Sequence, residues 1–119
     1  VLEKYGNTDK MVVNDGFEIN EKVYMTIESE SLLNSAKSTG LGIKRFASTF
    51  DIMKPDLLIV LGDRYELLGI CLAAAYNNIP IAHISGGETT LGSQDEFNRH
   101  CITKLSWLHF SSNNIHKKR

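Results

Sequence analysis

KPDLLIVLGDRYELLGICLAAAYNNIPIAHISGGE, Lys54 to Glu88, carries the reading of the fold. Its first part, DLLIVLG, is a continuous apolar run of strand length. RYELLGICLAAAYNN follows as a helix that is apolar nearly all round, and IPIAHI is a second apolar run. Neither strand alternates polar with apolar residues. Continuous runs suit strands covered on both faces, which is the situation inside a parallel sheet. Strand, helix and strand in this order form a βαβ unit.

The same pattern continues on both sides. SQDEFNRHCITKLS reads as an amphipathic helix, with Phe97, Cys101, Ile102 and Leu105 on one side and Asp95, Arg99 and Thr103 on another. WLHFSS is a third strand, and NNIHKKR begins a further helix. Upstream, SESLLNSAKSTGLGIKRFASTFDIMKPD places Leu32, Leu33, Ala36, Ile43, Phe46, Ala47, Phe50 and Met53 at three- and four-residue steps, which predicts a long helix. Ser29 or Ser31 can cap its start. Pro55 ends it, because the residue before proline is pushed out of helical geometry. Gly40 and Gly42 lie mid-helix, where close packing or a kink explains them better than a phosphate loop does. EKVYMTI alternates enough to predict a short strand over Val23–Ile27. Residues 1–20 are polar and weakly patterned, with a turn signal at Asp15-Gly16. The expected class is α/β, a doubly wound parallel sheet of Rossmann-like type.

Composition narrows the function classes. The 119 residues suffice for one domain with one core, and 42% hydrophobic with 23% charged residues is globular rather than disordered composition. A formal net charge of -1 leaves no basic footprint for nucleic acid. No apolar run approaches the roughly 20 residues of a membrane span, and no secretory signal is seen. A cytoplasmic protein is expected, with Cys71 and Cys101 as buried, reduced packing residues. The sequence opens at Val1 and closes on HKKR as a helix begins. It reads as a piece of a longer chain: residues 1–119 as an incomplete N-terminal Rossmann-like domain.

In parallel α/β sheets, ligands bind at the carboxyl ends of the strands, where strand order reverses. One strand here ends in Gly62, Asp63 and Arg64. The next ends in His83, Ser85, Gly86, Gly87 and Glu88. Each residue also has an ordinary explanation. Asp63 could cap the following helix, and Arg64 could be a surface ion-pair partner. His83 could be a satisfied core histidine, and Glu88 a solvated loop acid. Ser93 and Glu96 have the spacing of a capping box. Asp95 could favour the helix dipole or pair with Arg99 one turn on. Taken together, however, acids from three separate segments fall on one rim.

At these residues the chain resembles the hydrolysing UDP-N-acetylglucosamine 2-epimerases of sialic-acid biosynthesis. The resemblance runs from Lys54 to Phe110 through PDL-x₄-GDR-Y, IAHI-x-GGE-x-T and RH-x-ITKLS-x-LHF, and more weakly back through DGFEINEKVYM. It implies a two-lobed, glycosyltransferase-B-like fold of which this chain is a partial N-terminal half. The first strand and the entire C-terminal domain would lie outside it, and the fragment alone would be inactive. The implied reaction removes the C2 proton of a UDP-sugar, expels UDP from C1, and adds water to the resulting glycal. UDP-N-acetylglucosamine, or a related 2,4-diacetamido sugar, would yield UDP and a free 2-epimeric sugar. No cofactor and no metal are implied. Asp63, Asp95 and Glu88 would be the catalytic acids. Arg64, His83, Ser85, Gly86, Gly87, Arg99 and His100 would bind substrate, with His109 in support. Many relatives carry an acid at the position of Ser85, so Glu88 would cover that role or the substrate would differ. A homo-oligomer is expected, partnered by its own C-terminal domain. The alternatives are a non-hydrolysing 2-epimerase, or a non-catalytic sugar-nucleotide-binding or oligomerisation module.

Overall fold

The longest element, α2 (Leu32–Met53), starts where its cap allows: the Ser31 hydroxyl accepts the Asn34 N–H at 3.2 Å. The other cap candidate, Ser29, lies outside the described residues, which in this computed structural model are 8–27 and 31–118. The helix runs unbroken through Gly40 and Gly42 and stops before Pro55. Lys54 takes a left-handed conformation (φ 46°) rather than the extended one usual before proline, and its N–H still bonds to the Phe50 carbonyl.

The remaining elements are α1 (Thr8–Asn14), β1 (Leu58–Leu61), α3 (Tyr65–Tyr76), β2 (Ile81–Ile84), α4 (Gln94–Leu105), β3 (Leu108–Phe110) and α5 (Asn114–Lys117). The three strands form a parallel sheet in the order β1-β2-β3, with Val60, His83 and His109 in register across it. The expected Rossmann-like α/β architecture is therefore present. Among the described strands the order is sequential, without the reversal that marks a switch point.

Helix α3 packs against α2, α4 and β2, and α4 also packs against β2, so these helices share one side of the sheet. The core lies between them and that side: Phe50, Val60, Cys71, Ala73, Ala74, Ile79, Ile81 and Ile102. Small side chains let α3 sit close to α2. A Cβ on Gly69 would come within 2.7 Å of the Thr39 carbonyl, so only glycine allows this approach. Burial pushes the Cys71 thiol up to about 12, which leaves it inert, whereas Cys101 is only half-buried. The opposite side of the sheet is apolar and open: Ile59 and Leu61 are 63% and 66% exposed, and Leu108 and Phe110 50% and 56%. A second helix layer of the kind that completes a doubly wound sheet is not among the described residues.

Three expectations are corrected. Val23–Ile27 forms no strand. It docks on α2 instead, with Met25 packed against Gly42 and the Ile27 N–H bonded to the Ser38 hydroxyl at 2.8 Å. Helix α1 rises from the weakly patterned stretch; it buries none of its residues, so it carries no apolar period to read. Helix α4 turns Asn98, Arg99 and Ile102 inward, while Phe97 stays 56% exposed. Among the described residues, no helix is long and apolar enough to cross a membrane.

Candidate functional site

The carboxyl ends of β1 and β2 meet the start of α4. Strand β1 leaves the sheet through Gly62 at φ 90°, a region that favours glycine. Its N–H bonds to the Ile84 carbonyl. Asp63 comes next and does not cap α3; that position is Arg64, which makes no side-chain cap bond. Asp63 instead reaches the Arg99 guanidinium on α4.

Arg99 is the centre of the cluster. Its side chain is only 5% exposed. One terminal nitrogen serves Asp63 and the Thr90 hydroxyl (2.9 Å); the other donates to Glu96 at 3.1 Å. A buried guanidinium is tolerable only when its forked donors are met, and here three partners from three segments meet them. The expected Asp95–Arg99 helix pair does not form. Asp95 makes no side-chain hydrogen bond among the described residues and lies within electrostatic reach of Arg64, whose guanidinium is paired mainly with Glu66 at 3.0 Å. Arg64 thus takes the surface ion-pair position that its exposed place allowed.

Half of the expected capping box is present. Ser93 caps α4 by accepting the Asp95 N–H at 3.2 Å. Glu96 does not return to the Ser93 backbone. It accepts the Thr90 N–H at 2.7 Å, Arg99, and His100 Nε2 at 3.0 Å. The Thr90 N–H, followed by His100, holds its carboxyl below the usual range. Glu96 and Thr90 therefore fold the 88–93 loop back over Arg99. Thr90 closes the IAHI-x-GGE-x-T motif but was given no role there, and the capping-box spacing drew Glu96 away from this one.

After β2 the backbone turns sharply. Ser85 sits at φ 64° and Gly87 at φ 77°, and the Ser85 N–H bonds to the Phe110 carbonyl at 2.8 Å. A left-handed serine is strained backbone, a cost that concentrates at functional loops. Gly87 packs directly against the His116 carbonyl of α5. Glu88 leans toward the same histidine, 4.0 Å from Nδ1, which also meets the Ser112 hydroxyl at 3.1 Å. His116 was not singled out in the sequence, because nothing there joins residues 88 and 116.

His83 departs from the rim altogether. It is fully buried, with Nε2 2.8 Å from the Gly62 carbonyl and Nδ1 3.3 Å from the Thr103 hydroxyl. Burial holds its pKa below the usual imidazole value, against the opposing pull of the Gly62 carbonyl. A neutral buried imidazole binds fewer protons than the same residue unfolded. Stability is thus flat above the unfolded pKa of about 6.5 and falls as pH drops from there toward the lower folded value. Urea unfolding of the chain between pH 7 and 5 is expected to show this loss, and His83→Asn to flatten it. An unchanged slope in the variant would assign the effect elsewhere.

The strand ends thus hold one buried cation ringed by Asp63, Glu96 and Thr90, with Asp95 and Glu88 half-buried on the flanks. Carboxylates so placed can exchange protons with a ligand. Among the described residues, no group of three or more His, Cys, Asp or Glu is arranged to hold a metal. An open groove of about 310 Å³ beside α2, lined by residues including Lys22, Tyr24, Lys44, Arg45, Ser48 and Thr49, contains none of these residues.

Comparison with known proteins gives one consistent answer. The family model for UDP-N-acetylglucosamine 2-epimerase matches residues 4–119. Over 116 residues the chain is 38% identical to the GDP/UDP-N,N'-diacetylbacillosamine 2-epimerase (hydrolyzing) of Campylobacter jejuni, covering 98% of this chain and 30% of that protein. It is 42% identical over 115 residues to polysialic acid biosynthesis protein P7 of Escherichia coli, covering 97% and 29%. The Methanocaldococcus jannaschii UDP-GlcNAc 2-epimerase, solved in complex with UDP-GlcNAc and UDP, superposes with a TM-score of 0.75 at 25% identity, over 92% of this chain and 30% of that one. The Neisseria meningitidis UDP-GlcNAc 2-epimerase bound to UDP-GlcNAc shares the fold, with a TM-score of 0.80 at 24% identity over 92% and 30%. The chain spans about 30% of the length of the curated relatives it matches.

Proposed function

Because the chain belongs to the UDP-N-acetylglucosamine 2-epimerase family, we propose that it is the greater part of the first lobe of a longer hydrolysing UDP-sugar 2-epimerase. The observation that carries this reading is the Asp63–Arg99 pair, which joins the carboxyl end of β1 to α4 on the rim where such sheets take ligands. The substrate is a UDP-sugar with an acetamido group at C2, either UDP-N-acetylglucosamine or a 2,4-diacetamido relative. The second choice follows from the name of the Campylobacter protein.

In this mechanism a carboxylate takes the C2 proton. UDP leaves from C1 with the C1–O bonding pair, which creates a C1–C2 double bond. Water then adds its oxygen at C1, and a proton returns to C2 on the opposite face. Asp63 and Asp95 are the acid–base pair, with Glu88 the third candidate beside Ser85. Gly86 and Gly87 let backbone approach the ligand. Arg64 and His100, both exposed, remain available to the diphosphate, whereas Arg99 and His83 serve by holding the site together. The protein is proposed to act in the cytoplasm as a homo-oligomer whose second lobe closes over the nucleotide.

The test is direct. The full-length protein, given UDP-N-acetylglucosamine or its 2,4-diacetamido analogue, is expected to accumulate free UDP and free 2-epimeric sugar in equal amounts. Appearance of the epimeric UDP-sugar with no free UDP would favour the non-hydrolysing reaction. Neither product, with a nucleotide sugar still bound, would leave a binding module.

A further inference from the structure

We propose that Thr103, His83 and Gly62 form a buried hydrogen-bond relay that positions Asp63, and that Gly86 is required because a side chain there would break it. The inference rests on Asp63 acting as a reacting carboxylate, and it gives Thr103 a role as a positioning residue.

The chemistry of the partners fixes the relay's direction. The Gly62 carbonyl can only accept, so His83 Nε2, 2.8 Å away, carries the hydrogen. Nδ1 is then the acceptor, and the Thr103 hydroxyl donates to it at 3.3 Å. Helical hydroxyls commonly donate back to their own helix, as those of Ser35, Thr39 and Ser106 do here to the carbonyl four residues earlier. The Thr103 hydroxyl turns sideways to the imidazole instead. His83 has no solvent exposure, so losing either partner would leave a buried polar nitrogen unmet.

The relay acts on Asp63 through the peptide plane. The Gly62 carbonyl and the Asp63 nitrogen belong to one rigid unit. The Gly62 N–H is tied to the Ile84 carbonyl at 3.1 Å and its carbonyl to His83, so β2 holds this left-handed residue from both ends. The peptide that launches Asp63 therefore has little freedom. Gly86 closes the roof. A Cβ there would lie 2.8 Å from His83 Nδ1 and 3.2 Å from the Thr103 hydroxyl oxygen. The titratable and charged groups around the imidazole are His109 on β3, Arg99 on α4 and Asp63 on the β1 turn.

Thr103→Val keeps the shape and removes the donor; Thr103→Ser keeps the donor. In the full-length protein, histidine side-chain nitrogen NMR is expected to show His83 as the Nε2–H tautomer. Thr103→Val is expected to keep that tautomer, which the Gly62 carbonyl alone dictates, but to move the Nδ1 resonance as its donor is lost, and to lower kcat for UDP release about ten- to a hundredfold, the scale of a small misplacement, with KM little changed. Thr103→Ser is expected to restore both readouts, and Gly86→Ala to disturb both. An Nδ1–H tautomer in the parent protein, or Thr103→Val with parental Nδ1 resonance and kcat, would overturn the relay. The tautomer is read without turnover. Failure of the epimerase reading therefore shows as a parent protein that keeps the Nε2–H form yet releases no UDP, and this outcome removes Asp63's reacting role and with it the relay's catalytic purpose.

Discussion

Asp63→Asn is expected to lower UDP release by the full-length protein about 10²–10⁴-fold, the usual yield of a positioned acid or base, while leaving folding nearly intact. Asparagine has the same shape and keeps one carbonyl oxygen for Arg99, so the hydrogen bond on the guanidinium can persist. What is lost is the carboxylate that could take or return a proton. The contrast between a large kinetic effect and a small stability effect is the informative part. Asp95→Asn should behave alike, with still less structural cost, because its carboxylate makes no hydrogen bond among the described residues. Turnover within about tenfold of the parent, roughly 1.4 kcal/mol of barrier, would remove these acids from the chemistry.

The second large effect belongs to Arg99. Arg99→Met is expected to destabilise the chain by about 2–4 kcal/mol, as measured by urea unfolding at neutral pH. Methionine fills much of the volume but leaves Asp63 and Glu96 facing each other with no cation between them, and it strips the Thr90 hydroxyl of its donor. Both carboxylates are about one-fifth exposed, so water offsets part of the loss and the upper end of the range is not reached in full. Arg99→Lys should recover only part of it, because an ammonium cannot fork to acids on two segments. A loss below about 0.5 kcal/mol would mean that solvent already screens the pair. Against a total stability of about 5–15 kcal/mol, the expected loss is a large share.

The two effects show why the site was only partly legible. Residue types were readable: acids, glycines and a histidine at the ends of apolar runs mark a ligand rim in any parallel sheet. Destinations were not. Arg99 and Asp63 are 36 residues apart, and nothing local joins them. His83 stands in a strand end that reads equally well as rim or core, and its burial depends on Gly62 and Thr103, each about 20 residues away. The inward face of α4 was misjudged for a related reason. Apolar periodicity does not register an arginine or an asparagine as interior, yet Arg99 is buried because its charge is met. The missing strand at Val23–Ile27 shows the converse. Alternation alone does not make a strand without a neighbour to pair with, and α2 offered a hydroxyl and a glycine hollow instead.

By itself, the sequence determined the order of β1, α3, β2, α4 and β3, the parallel sheet and the family. These follow from contiguous apolar runs, proline and glycine punctuation, and short motifs, all of which act within a few residues. The tertiary structure alone decided which polar side chains turn inward and whom they meet. A buried charge or imidazole is stable only beside its partner, and that partner comes from a distant part of the chain which folding alone brings near.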